Sequence, residues 1–150
     1  NLEWQPSDID PKRLDSIKAY IQEGDHENIR TPLLLDVTAC DWAKNINGYD
    51  VIITINIFHL ISNREMKNLI HESSFALKRN GYFMIYGPFM RSGELISDQD
   101  FKFHNSLINY DQEIGYKDDF DILDEIEENN LSPEAVIEMP ANNLMFIAKK

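Results

Sequence analysis

Residues 49–62 read YDVIITINIFHLIS, and the change of character along this stretch decides the fold. Val51-Ile52-Ile53-Thr54-Ile55 is an unbroken, almost wholly β-branched run. Such a run predicts a strand buried on both faces, as in a parallel sheet covered by helices. Polar groups return abruptly at Asn56 and His59, where the strand should stop. In open α/β sheets ligands bind at the carboxyl ends of the central strands, so a site is expected there.

After this strand, Ser62 or Asn63 caps a helix whose inner face is Met66, Leu69, Ile70, Ser73 and Leu77, at helical spacing, with Asn80-Gly81 ending it. Tyr82 to Tyr86 is the next strand, closed by Gly87-Pro88-Phe89. Met90 to Lys117 has weak periodicity, with a helix expected over Asp100–Tyr110; a long irregular insertion in a small domain is usually functional or disordered. Asp119–Asn130 predicts an amphipathic helix with Phe120, Leu123 and Ile126 inward. Ala135–Met139 and Leu144–Ala148 are two strands whose short link requires an antiparallel pair.

Before the strand, Leu2–Gln5 is expected to be a short strand stopped by Pro6. Asp10 caps a helix with Pro11 in its first position, Leu14, Ile17 and Ile21 as its stripe and Gly24 at its end. Asp25 to Thr31 is a polar connection, and Pro32–Val37 a buried strand interrupted by Asp36 near its carboxyl end. Thr38 to Gly48 forms a loop or short helix. Alternating strands and helices followed by a hairpin specify an α/β fold with a mostly parallel sheet and an antiparallel end, in one domain over residues 1–150.

The totals narrow the function. The chain has 150 residues, 43% hydrophobic and 27% charged, enough for one domain with a real core. Its net charge of -12, from 26 acids against 14 bases, repels phosphate backbones, so a small molecule or a protein is expected as partner rather than nucleic acid. The acidic stretch Asp118–Glu128 reads as a solvated helix face. No apolar run approaches membrane-spanning length, and no secretory signal is visible. One cysteine, Cys40, excludes an internal disulfide and a cysteine-based zinc site, which makes a reduced, cytoplasmic setting the default.

The alternating sheet with a terminal hairpin is similar to the second two-thirds of a class I S-adenosylmethionine-dependent methyltransferase. At particular words it resembles the methyltransferase-like 26 family, a group of methyltransferase-like proteins of bacteria and animals: Trp4-Gln5-Pro6-Ser7-Asp8, Leu35-Asp36-Val37, Asn56-Ile57-Phe58-His59, Tyr86-Gly87-Pro88-Phe89 and Met139-Pro140-Ala141-Asn142-Asn143-Leu144. Ser106-Leu107, Asp111, Gly115 and Asp118 fit the same pattern within the insertion. The resemblance runs over the whole chain, with two departures. The glycine-rich loop after the family's first strand has no counterpart, since none of the six glycines forms a Gly-x-Gly cluster; that strand and loop are expected to lie before Asn1. Two arginines typical of the insertion stand as Ile108 and Tyr110.

The resemblance implies S-adenosylmethionine as cofactor and a small-molecule or protein methyl acceptor. It implies that Asp8 accepts from the ribose hydroxyls, that Asp36 accepts from the adenine amino group beside Val37, and that Asn56, Ile57 and His59 lie by the methionine moiety. Three strands would thus bring their polar tips to one ledge. Each residue also has a plainer role open to it. Asp8 can help Asp10 start the helix. Asp36, as a buried carboxylate, needs some partner, which a loop N–H would satisfy. His59 is a possible base near neutral pH, or a packed histidine bonded to backbone. Tyr86 and Phe89 can shape the acceptor pocket or fill the core; Arg91, His104 and Asp111 are polar candidates for acceptor recognition. Asn142-Asn143 turns the hairpin. No metal site is indicated.

Methyl transfer leaves the reactivity to the cofactor and asks the protein to align and to exclude water, so the lack of a catalytic triad does not count against it. The rival class is a non-catalytic methyltransferase-like module binding a partner through its acidic face or insertion. A nicotinamide dehydrogenase is more distant, for want of its glycine fingerprint.

Overall fold

The computed structural model describes residues 2–24 and 26–150; Asn1, and Asp25 at the start of the expected polar connection, lie outside the described residues. The chain divides into two compact units, Asn1–Val37 and Thr38–Lys150.

In the first unit, β1 (Ser7–Asp8) and β2 (Leu33–Leu34) pair in parallel, Ser7 opposite Leu33 and Asp8 opposite Leu34. The expected strand over Leu2–Gln5 is thus displaced. Pro6 does not stop the extended track: its carbonyl accepts from Leu33 N at 3.0 Å, while Trp4 exchanges bonds with Asn28 and Arg30, both 2.8 Å. Proline lacks the donor but keeps the acceptor, and only the acceptor is needed at that register. Between the strands runs α1 (Pro11–Glu23), capped by Asp10, whose side chain accepts from Lys12 N, and closed where Gly24 N–H donates to Tyr20 O. The strand expected over Pro32–Val37 is cut to Leu33–Leu34, and Leu34 is exposed.

The second unit carries a mixed sheet of four strands in the order β3-β4-β6-β5. β3 (Tyr49–Ile55) lies parallel to β4 (Leu77–Pro88), and β6 (Asn143–Lys149) is antiparallel to both β4 and β5 (Ser132–Met139). The expectation that the β3 run is buried on both faces is corrected: β3 has one neighbour among the described strands, and Val51 and Ile55 are about half exposed, at 46% and 54%. A strand with neighbours on one side only leaves its apolar run uncovered.

Between β3 and β4 stands α2 (Asn63–Ala76), begun by a full capping box in which the Ser62 side chain takes Glu65 N and the Glu65 side chain takes Ser62 N. Met66, Leu69, Ile70 and Ser73 are buried as the periodicity requires. The helix ends at Ala76, not at Asn80-Gly81. Leu77 is buried as the first residue of β4, opposite Tyr49, and Asn80 takes φ 65 within the strand.

The insertion holds α3 (Asp98–Tyr110), capped by Ser97, close to the helix expected over Asp100–Tyr110. α4 (Asp119–Glu128) is present, but its buried stripe is Ile122, Glu125 and Ile126; Phe120 is 56% exposed. Ile126 is buried as expected and Leu123 half-buried, so the expectation fails at Phe120, while Glu125 enters the core. Glu125 is admitted there by Lys67 Nζ at 2.6 Å and Asn129 Nδ2 at 3.0 Å. The core lies between the sheet and these helices, with Phe58, Phe83, Phe89, Phe146, Ile85 and Ile122 fully buried. No helix of the described residues is long and apolar enough to cross a membrane.

Candidate functional site

Asp8 and Asp36 stand at the carboxyl end of the first unit's parallel pair. Asp8 Oδ1 accepts from Asp10 N at 2.8 Å, so Asp8 does help start α1. Among the described residues its Oδ2 meets Arg13, at 3.9 Å, and the side chain keeps 22% of its surface. The strand track continues one bond further, from Leu35 N to Asp8 O at 3.0 Å. Asp36 lies beyond β2 and is exposed, as a strand that stops at Leu34 dictates, so the premise of a buried carboxylate falls. Val37 is half-buried. These two carboxylates offer acceptor chemistry suited to the hydroxyl and amino donors of a nucleoside.

The second unit has a cavity of about 590 Å³ at the carboxyl ends of β3 and β4. Asn56, His59 and Leu60 supply one side, Pro88 and Asn143 another, and Asp100, Phe103 and Tyr116 from the insertion a third. Asn56 takes φ 57, its amide still bonded to Tyr86 O at 2.8 Å, so the chain turns off the sheet as soon as β3 ends. Asparagine tolerates that left-handed conformation better than most residues. Ile57 then leads into a 3-10 turn, Phe58–Leu60, which carries His59 to the cavity wall.

His59 is 6% exposed and its Nδ1 has no hydrogen-bond partner among the described residues. Burial first, and the charge of Lys117 second, hold its pKa below the ordinary imidazole value. Near pH 7 the ring is therefore neutral, the form that can take up a proton. A strap from Gly115 to Lys117 covers it. Gly115 N–H donates to His59 O at 3.0 Å, the Tyr116 ring lies 6.2 Å from the imidazole, and Lys117 Nζ donates to Gly115 O at 3.2 Å. Burial pushes the Lys117 ammonium pKa down, with Glu65 opposing.

Asp100 organises the opposite wall. Its Oδ2 accepts from Ser97 Oγ at 2.6 Å and Asn142 Nδ2 at 2.9 Å, and its Oδ1 from Tyr116 OH at 3.1 Å. Burial alone would raise its pKa; the bonds from Ser97, Asn142 and Tyr116 outweigh it and keep the carboxyl below its usual range, hence charged. The same burial and the same partner push the Tyr116 phenol pKa up. Neither Asp100 nor Tyr116 is poised to move protons at neutral pH.

Asn56 and His59 line this cavity; Ile57 and the five residues expected at the acceptor do not. Phe89 is core, 1% exposed and packed on Phe58 and Phe146. Tyr86 is half-buried, its hydroxyl accepting from Asn143 Nδ2 at 3.1 Å. Arg91 is spent as a clasp: it donates to Phe89 O at 2.7 Å and Asn142 O at 3.1 Å while paired with Glu138 at 2.9 Å. That clasp holds the hairpin tip, where Ala141 and Asn142 take φ 58 and 57 at the cavity rim. His104 sits behind the wall, Nδ1 accepting from Tyr116 N at 3.0 Å. Asp111 ends α3 and accepts from Glu113 N. The residues overlooked were Asp100, Phe103 and Tyr116. Ser97 three places before Asp100 is a helix-cap signal visible in the sequence; Tyr116 has no local signal, because a long loop delivers it.

Comparisons with known proteins agree with this architecture. The whole chain, residues 1–150, matches the family described as "Protein of unknown function (DUF938)". The fold matches an O-methyltransferase family protein from Burkholderia thailandensis at a TM-score of 0.80 and 17% identity, over 99% of this chain and 44% of that one. An O-methyltransferase family 2 protein from Planctomyces limnophilus, in complex with apigenin, matches at 0.79 and 14% identity, over 98% and 42%. A geranyl diphosphate C-methyltransferase from Streptomyces coelicolor, in complex with Mg2+, geranyl diphosphate and S-adenosyl-L-homocysteine, matches at 0.73 and 9%, over 97% and 64%. The chain spans less than half the length of the first two and under two thirds of the third. The fold is that of class I methyltransferases, and the chain belongs to the DUF938 family.

Proposed function

We propose that this chain contributes the donor and acceptor sites of an S-adenosylmethionine-dependent methyltransferase acting on a small molecule, as a single methyltransferase-like domain in a cytoplasmic protein. The observation that carries the reading is the cavity at the ends of β3 and β4, where a neutral histidine faces a space large enough for a small molecule. Two neighbours of the same fold hold apigenin and geranyl diphosphate, both small molecules. Likeness to the narrower methyltransferase-like 26 group belongs to this proposal too, on the sequence words given above.

Asp8, Asp36 and Val37 are the proposed nucleoside-binding residues, and Asn56, Ile57 and His59 the proposed residues for the methionine part. S-adenosylmethionine supplies an activated methyl group when bound. The chain's residues supply the rest: His59 takes the proton of an acceptor hydroxyl, and the strap over it with the Asp100 wall excludes water. Incubation with methyl-labelled S-adenosylmethionine and a low-molecular-mass cell extract tests the proposal. Label should enter organic-extractable products and fall at least about a hundredfold in His59→Gln, the low end of the range for removal of a general base. No incorporation by the gene-encoded protein sinks it.

One observation favours the second reading, a non-catalytic binding module: His59 Nδ1 meets no carboxylate or carbonyl among the described residues that would orient it as a base. Ligand binding without methyl transfer would support that reading.

A further inference from the structure

The proposed function sets the cofactor's methionine part at Asn56, Ile57 and His59 and leaves the rest of this cavity, toward Asp100, Phe103 and Tyr116, to the acceptor; its charge pattern is distinctive. Among its lining residues there is no lysine or arginine, and the single ionised group on its wall is the Asp100 carboxylate. Lys117, the buried cation nearest in the fold to His59, does not line the space; its ammonium is turned to Gly115 O and faces Glu65. An anionic ligand would therefore lose its hydration beside a like charge and gain no ion pair in return. A cationic ligand meets no such repulsion, since Asp100 keeps its charge while receiving Ser97 Oγ, Asn142 Nδ2 and Tyr116 OH at 2.6–3.1 Å. Those bonds spend both carboxylate oxygens inside the protein.

The rest of the wall is aromatic and neutral. The rings of His59, Phe103 and Tyr116 stand edge to face at 5.6, 6.2 and 6.1 Å. Two of the three are buried, while Phe103 keeps 42% of its surface open on the cavity. A flat apolar ligand can complete that cluster, since a further ring adds the edge or face contact that Phe103 lacks. Neutral hydrogen-bonding groups remain at the rim, from Asn56, Gln99 and Asn143.

We infer that this cavity takes an aromatic small molecule bearing a hydroxyl group and no negative charge, and that Asp100 acts as a fixed negative wall excluding carboxylates and phosphates. The inference rests on the cavity being the acceptor site, but its test uses no cofactor. A failed methyl-transfer assay would therefore leave it standing, and a wrong charge preference would sink it alone.

The probes share one ring system: 2-naphthol, 2-naphthoate and 2-naphthylmethylammonium, titrated into the isotopically labelled gene-encoded protein and followed by NMR. 2-Naphthol should shift the signals of His59, Phe103 and Tyr116 and bind at least about tenfold more tightly than 2-naphthoate, and 2-naphthylmethylammonium should also bind more tightly than 2-naphthoate. That factor is the modest end of what one like charge in a partly desolvated site produces. Asp100→Asn keeps an acceptor and the shape while removing the charge, and should bring 2-naphthoate to within about threefold of 2-naphthol. Phe103→Ala, at an exposed site that folding tolerates, should weaken 2-naphthol with no change in the charge ranking. Binding of 2-naphthoate equal to or tighter than that of either other probe overturns the inference, as does an Asp100→Asn variant that folds and keeps the full discrimination. Signals that move only outside the cavity overturn it too.

Discussion

The amide of Gly115 donates to the carbonyl of His59 at 3.0 Å, and that bond fastens the loop after α3 over the histidine at the end of β3. Gly115 sits at φ +136, and a Cβ there would meet the His104 ring at 3.2 Å. Gly115→Ala therefore meets both backbone strain and a crowded neighbour. The expected loss is about 2 kcal/mol, or a fall in Tm of about 4–8 °C for a chain of this size. An unchanged melting curve would mean that the strap is free to rearrange.

The strap also governs acid sensitivity. His59 and His104 are both held below the ordinary imidazole pKa, by burial first and by Lys117 second. The unfolded chain then binds these protons more readily than the folded one. Stability is complete above the unfolded value of about 6.5 and is lost as pH falls through it toward the folded values. The urea midpoint should drop between about pH 7.5 and pH 5. Asp100 is held charged below its usual range and does not titrate in that window. Lys117→Met removes the like charge, so the His59 ring should titrate at higher pH by NMR and the acid loss should shrink. A flat midpoint across the window, or an unmoved His59 titration in the variant, contradicts the assignment.

Arg91 and Glu138 separate packing from charge. Arg91 is 15% exposed and serves three backbone carbonyls, of Phe89, Asn142 and Asn143, whereas Glu138 is 74% exposed. Arg91→Ala leaves those acceptors without their donor and should cost about 1–3 kcal/mol by urea denaturation. Glu138→Gln breaks only a solvent-screened pair and should change almost nothing. Equal losses in the two variants would show that the ion pair, not the carbonyl clasp, holds the hairpin tip.

Much of the fold was legible because its signals are local. Asp10-Pro11, Ser62-x-x-Glu65 and the hydrophobic spacing of Met66, Leu69 and Ile70 each specify structure within one turn of helix. The errors arose where tertiary contacts override local pattern. Glu125 enters the core paired with Lys67, and Phe120 stays outside. Pro6 kept a strand track alive through its carbonyl alone. Leu77 left its helix for β4. For the site, Asn56 and His59 were found because they follow an apolar strand at once. Tyr116 and Asp100 were not, since the wall they form depends on a bond between residues 16 positions apart.

Asp8 and Asp36, at the ends of β1 and β2, are the carboxylates proposed to hold the nucleoside of S-adenosylmethionine. Isothermal titration of the gene-encoded protein with S-adenosylhomocysteine tests that role most directly. Saturable binding should weaken at least about tenfold in Asp8→Asn, and again in Asp36→Asn, as the loss of a charge-assisted bond to a ligand hydroxyl or amine predicts. Absence of binding heat, or affinity untouched by both substitutions, would contradict it.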